Sequence, residues 1–147
     1  MFKHILISTD GSPVSNKAAK AGIALARALG AKVTAYYAIE QLQPIYADEG
    51  YMIDQKTIDG FEEQAREAGQ KRVDAIGRMA KAAGVPFTSV VTKAYAPYEG
   101  IIDAAKKRKC DVIFMASHGR RGISKLVMGS VTQKVLTHSR IPVVVYR

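Results

Sequence analysis

The chain is predicted to fold as an open α/β sheet of five parallel strands in the order 3-2-1-4-5, with helices on both faces. Three observations predict it. Segments of strand character alternate along the chain with segments of helical period, the signature of a mostly parallel sheet covered on both sides. The first strand centres on Ile5-Leu6-Ile7, a continuous apolar run of the kind that burial on both faces requires. Finally, Ile5 to Ser12 and Val112 to Gly119 echo each other, each running from an apolar strand through small polar residues to a glycine. If the first and fourth strands are neighbours whose crossovers leave toward opposite faces, both turns converge on the crevice beyond the strand C-termini.

Each element has a local reason. Phe2 to Ser8 forms the first strand, which Thr9-Asp10-Gly11-Ser12-Pro13 stops. Ser12 caps a helix with Pro13 in its first position, and Ala18, Ala21, Leu25 and Leu29 recur at helical spacing until Gly30 ends it. Lys32 to Ile39, rich in β-branched and aromatic residues, is the second strand. Gln41 to Thr57 carries Pro44, Gly50 and several acidic residues without a sustained period, and reads as a long loop or partly helical flap. From about Ile58, the spacing of Phe61, Ala65, Ala68, Val73, Ile76, Met79 and Ala83 predicts a long amphipathic helix closed by Gly84. Pro86 introduces a third strand, Phe87 to Thr92. Pro97 opens a short helix with Ile101, Ile102 and Ala105 on its apolar face, and Asp111 to Ala116 is the fourth strand. The helix after the second glycine turn presents Val127, Val131, Val135 and Leu136, and Ile141 to Tyr146 makes the fifth strand.

A chain of 147 residues, 48% of them hydrophobic, is read as one domain spanning residues 1–147. No apolar run approaches the length needed to cross a bilayer, and the N-terminus lacks the zones of a signal peptide, so the expected compartment is the cytoplasm. The single cysteine, Cys110, reads as a small buried hydrophobe. The formal charge of +9 raises the question of a polyanionic partner. Its one dense run, Lys106-Lys107-Arg108-Lys109, falls at the predicted end of a helix, where cations complement the dipole. No aromatic residue is interleaved there for base stacking, so neither nucleic acid nor membrane is the expected partner.

The chemistry concentrates in Ala116-Ser117-His118-Gly119-Arg120-Arg121-Gly122, followed after six residues by Gly129-Ser130. Glycines let backbone N–H groups approach an anion, and the helix that follows adds the positive end of its dipole. A phosphate-bearing ligand is the expectation. Plainer roles compete with it: Asp10 as an Asx turn before Gly11, Ser130 as a helix cap, and His118 as a hydrogen-bonding turn residue. A P-loop would need a Gly-Lys-Ser/Thr ending, which is absent, and a paired-histidine nucleotidylyl transferase would need a histidine where Arg120 stands. No catalytic residue is assigned.

The opening strand with Thr9-Asp10-Gly11-Ser12, the block Ser117 to Leu136, and the closing Ile141-Pro142-Val143-Val144-Val145 resemble the universal stress protein family, and the resemblance covers Phe2 to Arg147. It implies a Rossmann-like, HUP-type domain that binds ATP or AMP in stress response, a regulatory module with at most slow hydrolysis. Nucleotide-binding members carry glycine, two residues, glycine, nine residues, glycine, then Ser or Thr. Here the second and third glycines fall on Gly119 and Gly129, with Ser130 next, and the first falls on Ala116. That alanine obstructs binding only if the position needs a positive φ or if its methyl meets the ligand.

By the same resemblance, Asp10 approaches the ribose or a metal-bound water, and the backbone of Ala38 meets the adenine edge. Gly119, Gly129, Ser130 and Val131 hold phosphates, with Ser8, Thr9, Ala116 and His118 completing the lining. Read from the residues rather than the family motif, to which Gly122 is extra, Arg120 and Arg121 with Gly122 are expected to form a flexible basic clamp on a triphosphate. Mg or Mn would be held through the phosphates. A homodimer through Val143, Val144, Val145 and Tyr146 and an unidentified signalling partner are implied as well. The alternatives are a slow ATPase and a nucleotide-free interaction protein, for which Ala116 is the main argument.

Overall fold

The computed structural model describes residues 1–42, 53–119 and 127–147. The elements are β1 (His4–Ser8), α1 (Pro13–Leu29), β2 (Lys32–Glu40), α2 (Gln55–Ala82), β3 (Phe87–Ala94), α3 (Pro97–Lys107), β4 (Val112–Ala116), α4 (Ser130–His138) and β5 (Val143–Tyr146). The sheet has the expected order, β3-β2-β1-β4-β5, and every pairing is parallel. β1 and β4, which carry the two glycine turns, are adjacent, with Ile5 opposite Val112 and Ile7 opposite Phe114.

Side-chain alternation sends β1 into two cores. Ile5 and Ile7 pack with α1 and α2 residues such as Ala19, Ile23, Val73 and Ile76, whereas Leu6 joins Ile101, Ile102 and Val135 from α3 and α4 on the other face. α1 begins where Ser12 Oγ accepts the Ser15 amide at 3.2 Å and ends at Gly30, whose φ of 64° closes the turn. It buries small residues, and a Cβ on Gly22 would meet Ile7 at 2.9 Å, so the alanine-rich face sets the distance between helix and sheet.

α2 departs from expectation at its start. It begins at Gln55, inside the segment read as loop, because Asp54 caps it by accepting the Thr57 amide at 2.8 Å. Phe61, counted in the apolar stripe, is 55% exposed. The reason is length. Twenty-eight helical residues span about 42 Å, whereas the nine of β2 span roughly 30 Å, so the first turns overhang the sheet and burial concentrates from Gly69 to Ala80. α4 also differs from expectation: Val127 precedes it and is exposed, and so is Leu136, since a nine-residue helix buries only Thr132 and Val135.

At the N-terminal end of the sheet, His4 Nε2 lies 2.7 Å from Thr34 Oγ1, which lies 2.8 Å from Thr88 Oγ1. Cys110 is buried, and that burial pushes its thiol up to about 11, leaving it protonated and inert. The Lys106 to Lys109 run is exposed at the end of α3, and Lys107 pairs with Asp103 at 2.7 Å. No helix among the described residues is long and apolar enough to cross a membrane.

Candidate functional site

Parallel strands with returning helices place strand C-termini and helix N-termini at one end of the sheet, and there a cavity of about 940 Å³ opens. That volume suits a small-molecule ligand. It is lined by Ser8, Thr9 and Asp10 from the first turn, Ala38 from β2, and Ala116, His118, Gly119, Gly129, Ser130 and Val131 from the β4 to α4 region. These are ten of the thirteen residues singled out from sequence; Arg120, Arg121 and Gly122 lie outside the described residues.

The first turn is held by its own side chains. Thr9 Oγ1 accepts the Gly11 amide at 3.0 Å and lies 2.8 Å from Ser15 Oγ, and Asp10 Oδ1 accepts the Ser12 amide at 2.9 Å. The Asx turn is therefore present. Gly11 has a φ of 78°, the left-handed region that favours glycine, and Arg72 of α2 occupies the space that a side chain there would fill. The Arg72 guanidinium donates to the Asp10 carbonyl at 2.9 Å.

The second turn is built from close approach rather than unusual dihedrals, since neither Gly119 nor Gly129 has a positive φ. A Cβ on Gly119 would fall on the Asp10 carboxylate, so the two turns touch at this point. A Cβ on Gly129 would stand 3.1 Å from the His118 Cα. Gly129 is the N-cap of α4 and donates its amide to the Ser117 carbonyl at 2.8 Å. Ser130, expected as a possible cap, is instead the first helical residue, because the backbone leaves the extended region only after Gly129.

Among the described residues, no side chain caps α4. Thr132, in the first turn of α4, donates its hydroxyl to the Ala116 carbonyl at 2.9 Å. First-turn amides of a helix have no intrahelical acceptor, so the backbone here presents donors and the positive end of the dipole to the cavity. His118 Nδ1 lies 2.9 Å from Ser117 Oγ. Ala116 closes β4 opposite Tyr146 without a positive φ, so its methyl strains no backbone.

Sequence reasoning missed the opposite wall. Tyr36, Ile101 and Met115 form a buried apolar cluster against which Ala38, Tyr98 and Val131 pack. Tyr36 is fixed by a 2.9 Å hydrogen bond with Thr92 Oγ1, and burial pushes its phenol above the ordinary range. Tyr95, 71% exposed, and Tyr98 flank Pro97 at the rim, with Lys134 Nζ 5.5 Å from the Tyr98 ring centroid. The available signal is the Tyr95-Ala96-Pro97-Tyr98 stretch, in which the sequence marks only Pro97, as the start of a helix. Among the described residues, no group of three or more His, Cys, Asp or Glu could hold a metal.

The model of the universal stress protein family matches residues 1–147. A universal stress protein of Thermus aquaticus is 32% identical over 148 residues, covering all of both chains. The structure of protein MJ0577 from Methanocaldococcus jannaschii superposes with a TM-score of 0.76 at 26% identity, covering 99% of this chain and 95% of that one. Two further structures share the fold. A universal stress protein in complex with cAMP has a TM-score of 0.72 at 22% identity, covering 99% of this chain and 97% of that one. A universal stress protein from Archaeoglobus fulgidus in complex with dAMP has a TM-score of 0.64 at 14% identity, covering all of this chain and 98% of that one.

Proposed function

Because the chain belongs to the universal stress protein family, we propose that its crevice binds an adenine nucleotide, ATP or AMP, and that residues 1–147 act as one cytoplasmic regulatory module in stress response. The observation that carries this reading is the start of α4, a glycine-capped helix N-terminus with no side-chain cap among the described residues, facing a cavity of nucleotide size. Phosphates lie against Gly119, Gly129, Ser130 and Val131. The sugar lies beside Asp10, and the base enters the apolar cluster around Ala38, Ile101 and Met115. Arg120 and Arg121 add the clamp on a triphosphate, and Mg or Mn joins through the phosphates, with Asp10 reaching it through water. The complexes of same-fold proteins with cAMP and dAMP support an adenine ligand, and the unstrained Ala116 weighs against a nucleotide-free protein.

The test is to denature the purified protein, identify any released small molecule by mass, and titrate emptied protein with ATP, AMP and adenosine. Release or tight binding of an adenine nucleotide is expected, with ATP binding more tightly than adenosine. A protein that neither carries nor binds one would be the nucleotide-free interaction module instead.

We propose in addition a homodimer across β5. Val143 to Tyr146 form an edge strand that, among the described residues, pairs with β4 alone, and all four residues are half-buried. A two-fold partner would cover that edge. Among the described residues Val144 and Tyr146 pack against the α1 face and Val143 against the other, and Val145, on the Val143 face, is named in neither cluster, so Val145→Lys is the test substitution. It is expected to shift sedimentation toward monomer, and a monomeric parent at micromolar concentration would remove the dimer.

A further inference from the structure

We propose that Arg72 is a positioning residue for the site: it pins the Asp10 turn in the form that faces the ligand while lying outside the cavity itself. Its ligand arm rests on the nucleotide reading above, and its structural arm does not. Arg72 belongs to α2 and stands 62 residues from Asp10 in the chain. Its Nη1 donates to the Asp10 carbonyl oxygen at 2.9 Å and to the Tyr37 hydroxyl at 2.8 Å, and its guanidinium carbon sits 5.1 Å from the centroid of the Tyr37 ring. The same side chain fills the place of the missing Gly11 Cβ, where Arg72 Cδ and Cζ would stand at 2.5 and 2.7 Å. Turn, glycine and arginine are packed as one unit.

The need for a pin follows from Gly11. Without a Cβ, glycine occupies positive and negative φ at similar cost, so the peptide plane between Asp10 and Gly11 is the cheapest part of this turn to rotate. Rotation would carry the Asp10 carbonyl away from Arg72, break the Gly11 amide bond to Thr9 Oγ1 that lies in the same peptide plane, and loosen the neighbouring Ser12 amide bond to Asp10 Oδ1, which helps to aim the carboxylate. A charged donor on that carbonyl opposes it. Arginine suits the task because one planar group reaches two acceptors while lying over an aromatic ring; a lysine ammonium keeps the charge but not the plane.

The test compares Arg72→Met, which keeps an apolar stem over Gly11 and Tyr37, with Arg72→Lys and the parent. Amide hydrogen exchange is read by NMR, and ATP and adenosine are titrated. In Arg72→Met the Gly11 and Ser12 amides are expected to exchange at least about tenfold faster, with Ile5, Leu6 and Ile7 unchanged, the size expected for loss of one charge-assisted bond. ATP and adenosine affinities should fall together by about tenfold, because Asp10 meets the sugar they share, and Arg72→Lys should recover part of both effects. Unchanged exchange at Gly11 and Ser12, equal acceleration along β1, or unaltered affinity despite faster exchange would each overturn the role. If the parent binds no nucleotide but the exchange signature appears, the nucleotide reading fails and the pinning stands. Tyr37→Phe, which removes one acceptor of Arg72 and leaves the guanidinium in place, should show a weaker form of the same signature even if Arg72→Met fails to fold; no local acceleration there would also overturn it.

Discussion

The two glycine turns stand side by side on adjacent strands and use their backbone donors in opposite ways. After β1, the amides of Thr9, Gly11, Ser12 and Ser15 are all taken, by the Tyr36 carbonyl, Thr9 Oγ1, Asp10 Oδ1 and Ser12 Oγ in turn. Pro13, first in α1, has no N–H to offer. That turn therefore presents an acceptor, the Asp10 carboxylate. After β4, Gly129 brings no side chain to cap α4 and Thr132 turns its hydroxyl to Ala116, so that turn presents donors. One sequence pattern thus gives two chemistries, and the deciding difference is a single cap, Ser12 against Gly129.

The sharpest way to break this comparison is to give α4 the cap it lacks. Gly129→Asp should weaken ATP binding about 100-fold relative to Gly129→Ala, since a carboxylate at the N-cap occupies the donors and repels the phosphate. The alanine variant controls for crowding against the His118 Cα, 3.1 Å away. Equal affinities in calorimetric titration would place the anion elsewhere. Gly119→Ala comes next. Its methyl would fall on the Asp10 carboxylate, so ATP and adenosine should both lose about tenfold in affinity as Asp10 is displaced. A loss confined to ATP would mean that Gly119 serves phosphate alone.

Ser12→Ala should do the reverse of Gly129→Asp. Removing the α1 cap is expected to cost about 1 kcal/mol, or roughly 2–4 °C in the thermal midpoint of a chain this size, with affinity changed less than about twofold. A large affinity loss would show that the first turn also donates to the ligand. Acid should act at the far end of the sheet, at His4. His4 has its pKa lowered, first by burial and then by Lys32, against the opposing pull of Asp111 and the Lys109 and Arg108 carbonyls. The folded state therefore binds the proton less readily than the unfolded state. Its stability contribution is complete above pH 6.5 and declines as pH falls below that value toward the lowered pKa. Denaturant midpoints at pH 7.5 and 5.5 should differ in the parent and converge in His4→Asn. An unchanged slope in the variant would assign the acid sensitivity to another group.

The sheet order and the position of both turns were legible because they rest on local signals: apolar runs too continuous for a one-sided strand, and glycines at the strand ends. The donor economy of the turns was not. That Thr132 bonds Ala116 depends on β4 lying beneath it, and Arg72 meets Asp10 only through the packing of α2. Phe61 and Leu136 fit a helical period and are nonetheless exposed, because periodicity describes a face and cannot say how far the sheet beneath it extends. The tyrosines at 95 and 98 carry no spacing signal, since Tyr95 precedes α3 and Tyr98 lies in its first turn, where no repeat has yet been established.

The His4, Thr34 and Thr88 contacts cross three neighbouring strands and so act as a ruler. Thr34 is fully buried and directly opposite Thr88, and its His4 and Thr88 partners lie on other strands. Sliding β2 by one residue would turn the Thr34 hydroxyl toward the α1 and α2 core, away from His4 and Thr88, at a cost of about 1–3 kcal/mol for the stranded group. Valine at 34 would fill much the same volume and tolerate either alignment. The hydroxyl thus selects one alignment of β2, and through it fixes how far Ala38 projects into the crevice at the other end of the strand.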